Sequence, residues 1–368
     1  MPTQPSIRLL FFAHETTWSG APIQLLHLVS WLKREGWEVA VAVPKPETAE
    51  AGPISDELRR VGVEIFPVLD LSASPDLAEL GALCVRFDVV VANTLVMWAP
   101  VRAANEQGIP VLWYIHESLV AHHLIAHIPE IKPTLALADM LVMPTRRTAQ
   151  LYASLTDRPI EVMPYGIPAA PAGPSRPPRG DAGVIRFLLL GTYEPRKGQD
   201  LLLQAIGQLG AAANSGADFE MAGRILDQRF YDAIEQPARR MPNVRLRGSL
   251  GHDQALDATA VADVLVCSSR DETMPIAILE AMSLGKAIVT TNVGGVAEWL
   301  DDGANALLVP AEDSLALAEA LRRCVDEPGL IASLGENAGR TFVDNFSIDR
   351  LGERFSALIE RLRKEKVR

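Results

Sequence analysis

Ser268–Glu298, SSRDETMPIAILEAMSLGKAIVTTNVGGVAE, is the stretch on which the fold turns. Ahead of it, Ala262–Ser268 (ADVLVCS) is a short apolar run suited to a buried strand. After Thr273 the spacing becomes helical. Pro275 suits a first turn, and Ile276, Leu279, Ala281 and Met282 suit an inward face. Gly285 stops this helix, Ala287–Thr291 returns as a strand, and Gly294-Gly295 is expected to open the next helix. Strand, loop, helix, strand, loop, helix is the parallel crossover unit. Ligands of such sheets sit beyond the carboxyl ends of the strands, where these loops lie. Two carboxylates, Glu272 and Glu280, fall in this region with seven residues between them.

Working outward, 368 residues suffice for two domains of roughly 150 residues each. With 48% of residues apolar, each domain can build its own core. The 35 Lys and Arg face 46 Asp and Glu, a net charge of −11, which argues against a nucleic-acid partner. Cys84, Cys267 and Cys324 lie far apart, with neither zinc spacing nor a disulfide framework, so a reducing cytoplasmic setting is expected. The apolar run Leu9–Ala13 is too short for a membrane span or signal peptide, and no repeat of solenoid length is visible.

A first series begins with a strand at Arg8–Ala13, a loop at Glu15–Gly20 and a helix at Ala21–Glu35. Further strands are expected at Trp37–Val43, Val63–Val68, Asp88–Ala92, Ile109–Ile115, Asp139–Met143 and Ile160–Met163. The Pro/Gly/Ala-rich run Pro168–Gly183 reads as a linker. Ile185–Leu190 opens a second series, with strands near Phe219–Ala222, Val244–Leu246, Ala262–Ser268, Ala287–Thr291 and Ala306–Val309. The expectation is an α/β protein of two Rossmann-like, doubly wound domains facing a cleft, residues 1–170 and 171–347.

The composite Glu272, Glu280, Ala281, Met282 and Gly285, with Thr291–Gly295 and Glu298 downstream, resembles the retaining glycosyltransferases of family 4, the glycosyl transferases group 1 of GT-B fold. The resemblance covers nearly the whole chain. It implies that Glu272, Thr273, Met274 and Pro275 face a donor sugar and that Glu280 holds the ribose of a nucleotide. A carboxylate can accept from two vicinal hydroxyls at once. The backbone at Ile276 lies at a helix start, where a phosphate is favoured.

A second loop, Gly191–Gly198 (GTYEPRKG), resembles the family's phosphate loop through Lys197-Gly198. Thr192 stands where the family usually has Arg, and Arg196, four residues on, is expected to supply that charge. The resemblance also gives Gly20 a backbone approach to the donor or acceptor, and places His116 near the sugar and the leaving phosphate. His116, Glu272 and Lys197 are thus the expected catalytic set. It further implies that a final helix, about 348–368, crosses back to the first domain.

His14 ends the first strand and is a candidate lining residue. His123 and His127 share a helix face beside His122, but no third ligand stands at a telling spacing, so no metal is expected. Met163–Pro168 is given only a hinge role, because Tyr165 and Pro168 depart from the family's turn.

The expected function is transfer of a sugar from a nucleotide-diphosphate sugar to a glycan, glycolipid or small-molecule hydroxyl, with retention and without metal or further cofactor. Surface-glycan synthesis, in the cytoplasm or at the inner face of the membrane, follows from the resemblance. Arg146-Arg147 and Arg361–Arg368 are candidate contacts to anionic lipid or plain solvated surface. Two alternatives stay open, a sugar-nucleotide 2-epimerase and a non-catalytic glycan- or nucleotide-binding relative. A nicotinamide dehydrogenase is disfavoured, since no strand–GxGxxG–helix fingerprint is present.

Overall fold

A computed structural model of the chain describes residues 7–45, 52–68, 75–170, 183–327 and 329–366. Residues 171–182 of the expected linker, and Val367 and Arg368 of the basic tail, lie outside them. The chain divides into two units, Met1–Pro168 with Phe346–Arg368, and Ala169–Asn345.

Unit one carries a parallel seven-stranded sheet built from β1 (Arg8–Ala13), β2 (Glu38–Pro44), β3 (Glu64–Val68), β4 (Val89–Asn93), β5 (Val111–Tyr114), β6 (Met140–Met143) and β7 (Ile160–Val162). The order is β3-β2-β1-β4-β5-β6-β7, with Leu10 opposite Val90 across the β1–β4 pair. The strand order reverses between β1 and β4, and the loops leaving them meet at that switch point. Every residue of β4 and β5 is buried, as expected of central strands covered by helices on both faces.

The last helix, Ile348–Lys366, belongs to this unit. Phe355 stacks on Phe11 with ring centroids 5.7 Å apart. Ile167 exchanges backbone bonds with Phe346 and Ile348, both at 2.9 Å. From the basic tail, Arg361 pairs with Glu161, and Lys366 Nζ donates to Asp139 Oδ2 at 2.8 Å, so these two cations are engaged within the unit.

Unit two carries a parallel six-stranded sheet from β8 (Ile185–Leu190), β9 (Ala217–Ala222), β10 (Val244–Arg247), β11 (Val264–Cys267), β12 (Ala287–Thr291) and β13 (Leu307–Val309). The order β10-β9-β8-β11-β12-β13 repeats the pattern of unit one, with its switch point between β8 and β11.

Two local expectations are corrected here. Pro275 is the N-cap of helix Ile276–Ser283 and not a residue of its first turn, because its ψ of 125° is extended. Gly294-Gly295 opens no full helix, only the single 3-10 turn Val296–Glu298. Gly294 has φ +55°, and a Cβ there would lie 1.5 Å from the Glu272 carbonyl oxygen. Gly295 N donates to Thr273 O at 2.9 Å, so the glycine pair is spent supporting the preceding loop.

Candidate functional site

The site in unit two grows from the loops leaving β8 and β11. After β8, Pro195–Lys197 forms one 3-10 turn, and helix Gln199–Gln208 follows. Gly198 joins them at φ +67°, where a Cβ would lie 2.0 Å from the Ser268 carbonyl oxygen. Only glycine allows this backbone contact between the two loops.

The contact brings Lys197 to Glu272. Lys197 Nζ donates to Glu272 Oε1, and Ser269 Oγ donates to the same oxygen at 3.0 Å. Arg196 Nη1 lies 3.6 Å from Glu272 Oε2, and its Nη2 donates to Glu194 Oε1 at 2.9 Å. Thr192, in the position of the expected arginine, also donates to Glu194, at 2.6 Å. Burial pushes the Glu272 carboxyl up, but Lys197 and Arg196 more than offset this and hold it below the usual carboxylate range.

Helix Ile276–Ser283 starts four residues after Glu272, and no side chain caps it. Its first amides have no partner within the helix, which makes that end attractive to an anion. Thr273, Met274 and Pro275 form the approach, with Met274 buried. Glu280 lies one turn along on the same face as Ile276. The tilt of helical side chains carries its carboxyl toward the helix start.

Glu280 is only 7% exposed, yet among the described residues no guanidinium or ammonium reaches it. His252 Nδ1 lies 3.7 Å from its Oε1. Burial alone pushes its carboxyl up to about 7. A buried carboxyl with so few donors is suited to accept hydroxyls from a ligand.

In unit one, His116 follows β5 and is buried. Its Nε2 meets Asn93 Oδ1 at 2.7 Å and its Nδ1 meets the Tyr165 hydroxyl at 2.8 Å. Burial, helped by His14, drives its pKa down to about 3, so the imidazole is neutral. The Glu117 carboxylate accepts from the backbone amides of His116 at 3.0 Å and Leu95 at 2.8 Å.

Gly20 is the first residue of helix Gly20–Arg34, and a Cβ on it would meet nothing within 4 Å. His14 pairs with Glu15 at 3.5 Å, and the bond from His14 outweighs burial to hold Glu15 down near a pKa of about 2. The His123 and His127 rings lie 4.0 Å apart, and no cluster of three metal-ligating side chains exists among the described residues.

Unit two therefore assembles Arg196, Lys197, Glu272, Ile276 and Glu280, while His116 and Gly20 belong to unit one. Sequence reading missed Ser269, His252, Asn93 and Tyr165. Tyr165, given only a hinge role, bonds His116 across 49 residues of chain, and no local pattern announces it.

The model of the Glycosyl transferases group 1 family matches residues 185–327, and that of Glycosyltransferase Family 4 matches residues 18–170. A glycosyltransferase of Methanocaldococcus jannaschii is 28% identical over 165 residues, 44% of this chain and 44% of that protein. Alpha-D-kanosaminyltransferase of Streptomyces kanamyceticus is 26% identical over 164 residues, 40% of this chain and 42% of its own length. The match thus spans less than half the length of these curated relatives. Among solved structures, Anabaena Alr3699/HepE in complex with UDP-glucose is similar in fold, with TM-score 0.83 and 17% identity, covering 96% of this chain and 100% of that one. Among the described residues no helix is long and apolar enough to cross a membrane.

Proposed function

The chain belongs to the group 1, family 4 glycosyltransferases, and from that premise we propose that it moves a sugar from a nucleotide-diphosphate sugar to a hydroxyl acceptor. The observation that carries this reading is the arrangement in unit two. Two cations and an uncapped helix start surround Glu272, and one turn further on Glu280 is buried with few donors. The first part suits a diphosphate with its sugar, and the second suits the vicinal hydroxyls of a ribose. The UDP-glucose held by the Anabaena protein supports the same donor class.

In this reading the diphosphate leaves as a sugar with oxocarbenium character forms. Lys197 has three N–H donors, of which Glu272 takes one, so others remain for a leaving oxygen. Arg196 and the amides at Ile276 and Ala277 share the growing charge. Fixed cations of this kind make a divalent metal unnecessary. Retention of anomeric configuration, a glycan, glycolipid or small-molecule acceptor, and action in the cytoplasm or at its membrane face come from the resemblance. The part of His116 at the sugar comes from the resemblance as well; its imidazole is neutral and so suited to hydrogen bonding and not to carrying charge.

The test is incubation with a panel of nucleotide sugars, with and without acceptors and with chelator present. Nuclear magnetic resonance of the product reports its anomeric configuration. Free nucleoside diphosphate and a retained glycoside, unaffected by chelator, are expected. An epimerised nucleotide sugar formed without acceptor would replace this reading with the epimerase one. Tight nucleotide binding with no turnover on any acceptor would point to a binding protein.

A further inference from the structure

Arg270 gathers three segments of unit two, and none of the roles above uses it. It lies in the loop between β11 and Glu272. Its Nη1 and Nη2 donate to Asp200 Oδ1 and Oδ2, each at 2.8 Å, a two-bond fork onto the first turn of helix Gln199–Gln208. Nη1 also donates to the Pro195 carbonyl, at the start of the turn that carries Lys197. Nε donates to Glu312 Oε1 at 2.7 Å; Glu312 follows β13 with φ +63°. The backbone adds a bond from Arg270 N to Arg196 O at 2.7 Å. One guanidinium thus joins the loops that leave β8, β11 and β13.

We propose that Arg270 is a positioning residue for the donor diphosphate, clamping the Arg196-Lys197 turn against the Glu272 loop so that both cations stand where the phosphates arrive. The inference rests on the donor-site reading for its ligand. The backbone of the turn is held by Lys197 N to Glu194 O at 3.0 Å and Gly198 N to Pro195 O at 3.2 Å, and Ser268 Oγ adds one bond from the β11 loop to Gly198 O at 2.8 Å; Arg270 supplies the charged arms that join the same two loops to Glu312. A lysine at this position would carry the charge but could not make the fork and the third arm together.

Arg270→Lys tests the clamp. Glu312→Gln is a second variant that loosens one arm at a side chain 60% exposed, where misfolding is not a concern. Calorimetry compares UDP with uridine and GDP with guanosine on the full chain. Arg270→Lys is expected to lose about 10- to 100-fold in affinity for the diphosphate that wild type binds, while the matching nucleoside binds as before. Glu312→Gln should show a smaller loss in the same direction. Equal losses for nucleoside and diphosphate would make Arg270 a general scaffold residue, and no loss in either variant would remove it from the site; both overturn the proposal.

Amide exchange gives an arm that needs no ligand. The amides of residues 196–198 and 270–273 should exchange faster in Arg270→Lys with the rest of unit two unchanged, and unaltered exchange there would overturn the clamp. Wild type that binds neither diphosphate would sink the donor-site reading and the diphosphate role with it, while exchange still decides whether the clamp exists.

Discussion

Lys197 donates its ammonium proton to the carboxylate of Glu272, 75 residues away along the chain. The pair is largely buried, with side-chain exposures of 19% and 9%. Lys197 is therefore placed by Glu272 as much as it places a phosphate, and each residue's removal exposes the other's charge.

Lys197→Ala should leave Glu272 buried, with Arg196 as its remaining cation at 3.6 Å. A loss of about 3 kcal/mol in unfolding free energy is expected, with turnover reduced about 100- to 1000-fold. Adding Glu272→Gln should restore much of the stability and none of the turnover. Chemical denaturation and steady-state kinetics read the two separately, and a single variant with wild-type turnover would contradict the assignment.

Glu280 sets a pH dependence. Its folded pKa of about 7 lies above its ordinary 4.5, so between those values the folded chain holds a proton that the unfolded chain has released. Stability without nucleotide is fully present below the lower value and falls as pH rises across the window, by at most roughly 3 kcal/mol. Nucleotide affinity should run the other way, rising with pH through 7 as the stronger acceptor forms. Glu280→Gln should bind more weakly and flatten both profiles. Calorimetric titrations at several pH values that show a flat wild-type profile would rule this out.

Gly294→Ala should distort the loop under Glu272. A methyl group there would overlap the Glu272 carbonyl, and the φ of +55° adds strain. A loss of about 3 kcal/mol or more is expected, together with weaker nucleoside diphosphate binding. Wild-type melting and binding would show that the loop can yield.

Thr94→Val should stabilise unit one. The Thr94 hydroxyl is buried without a hydrogen-bond partner among the described residues, at a backbone φ of +92°. Replacing it with a methyl of similar size removes an unsatisfied group, a gain of about 1 kcal/mol. A lower melting temperature would reveal a partner for that hydroxyl.

The sequence by itself determined the strand-and-helix alternation of both units. Runs such as Val89–Asn93 and Val264–Cys267 are almost continuously apolar, because strands covered on both faces must be. It also pointed to Glu272, Glu280 and Lys197, since each stands in a short local pattern. Local pattern misled at Gly294-Gly295, where the glycines serve contact with another loop instead of a helix start.

Only the tertiary structure decided who touches whom. Pairing of β11 beside β8, Val264 opposite Phe187, sets the two loops edge to edge. Lys197 thereby meets Glu272, and Arg270 meets Asp200, 70 residues away. Tyr165 reaches His116 in the same manner in unit one. Such partners depend on strand order and register across the sheet, which burial of whole apolar faces selects and no short stretch of residues records.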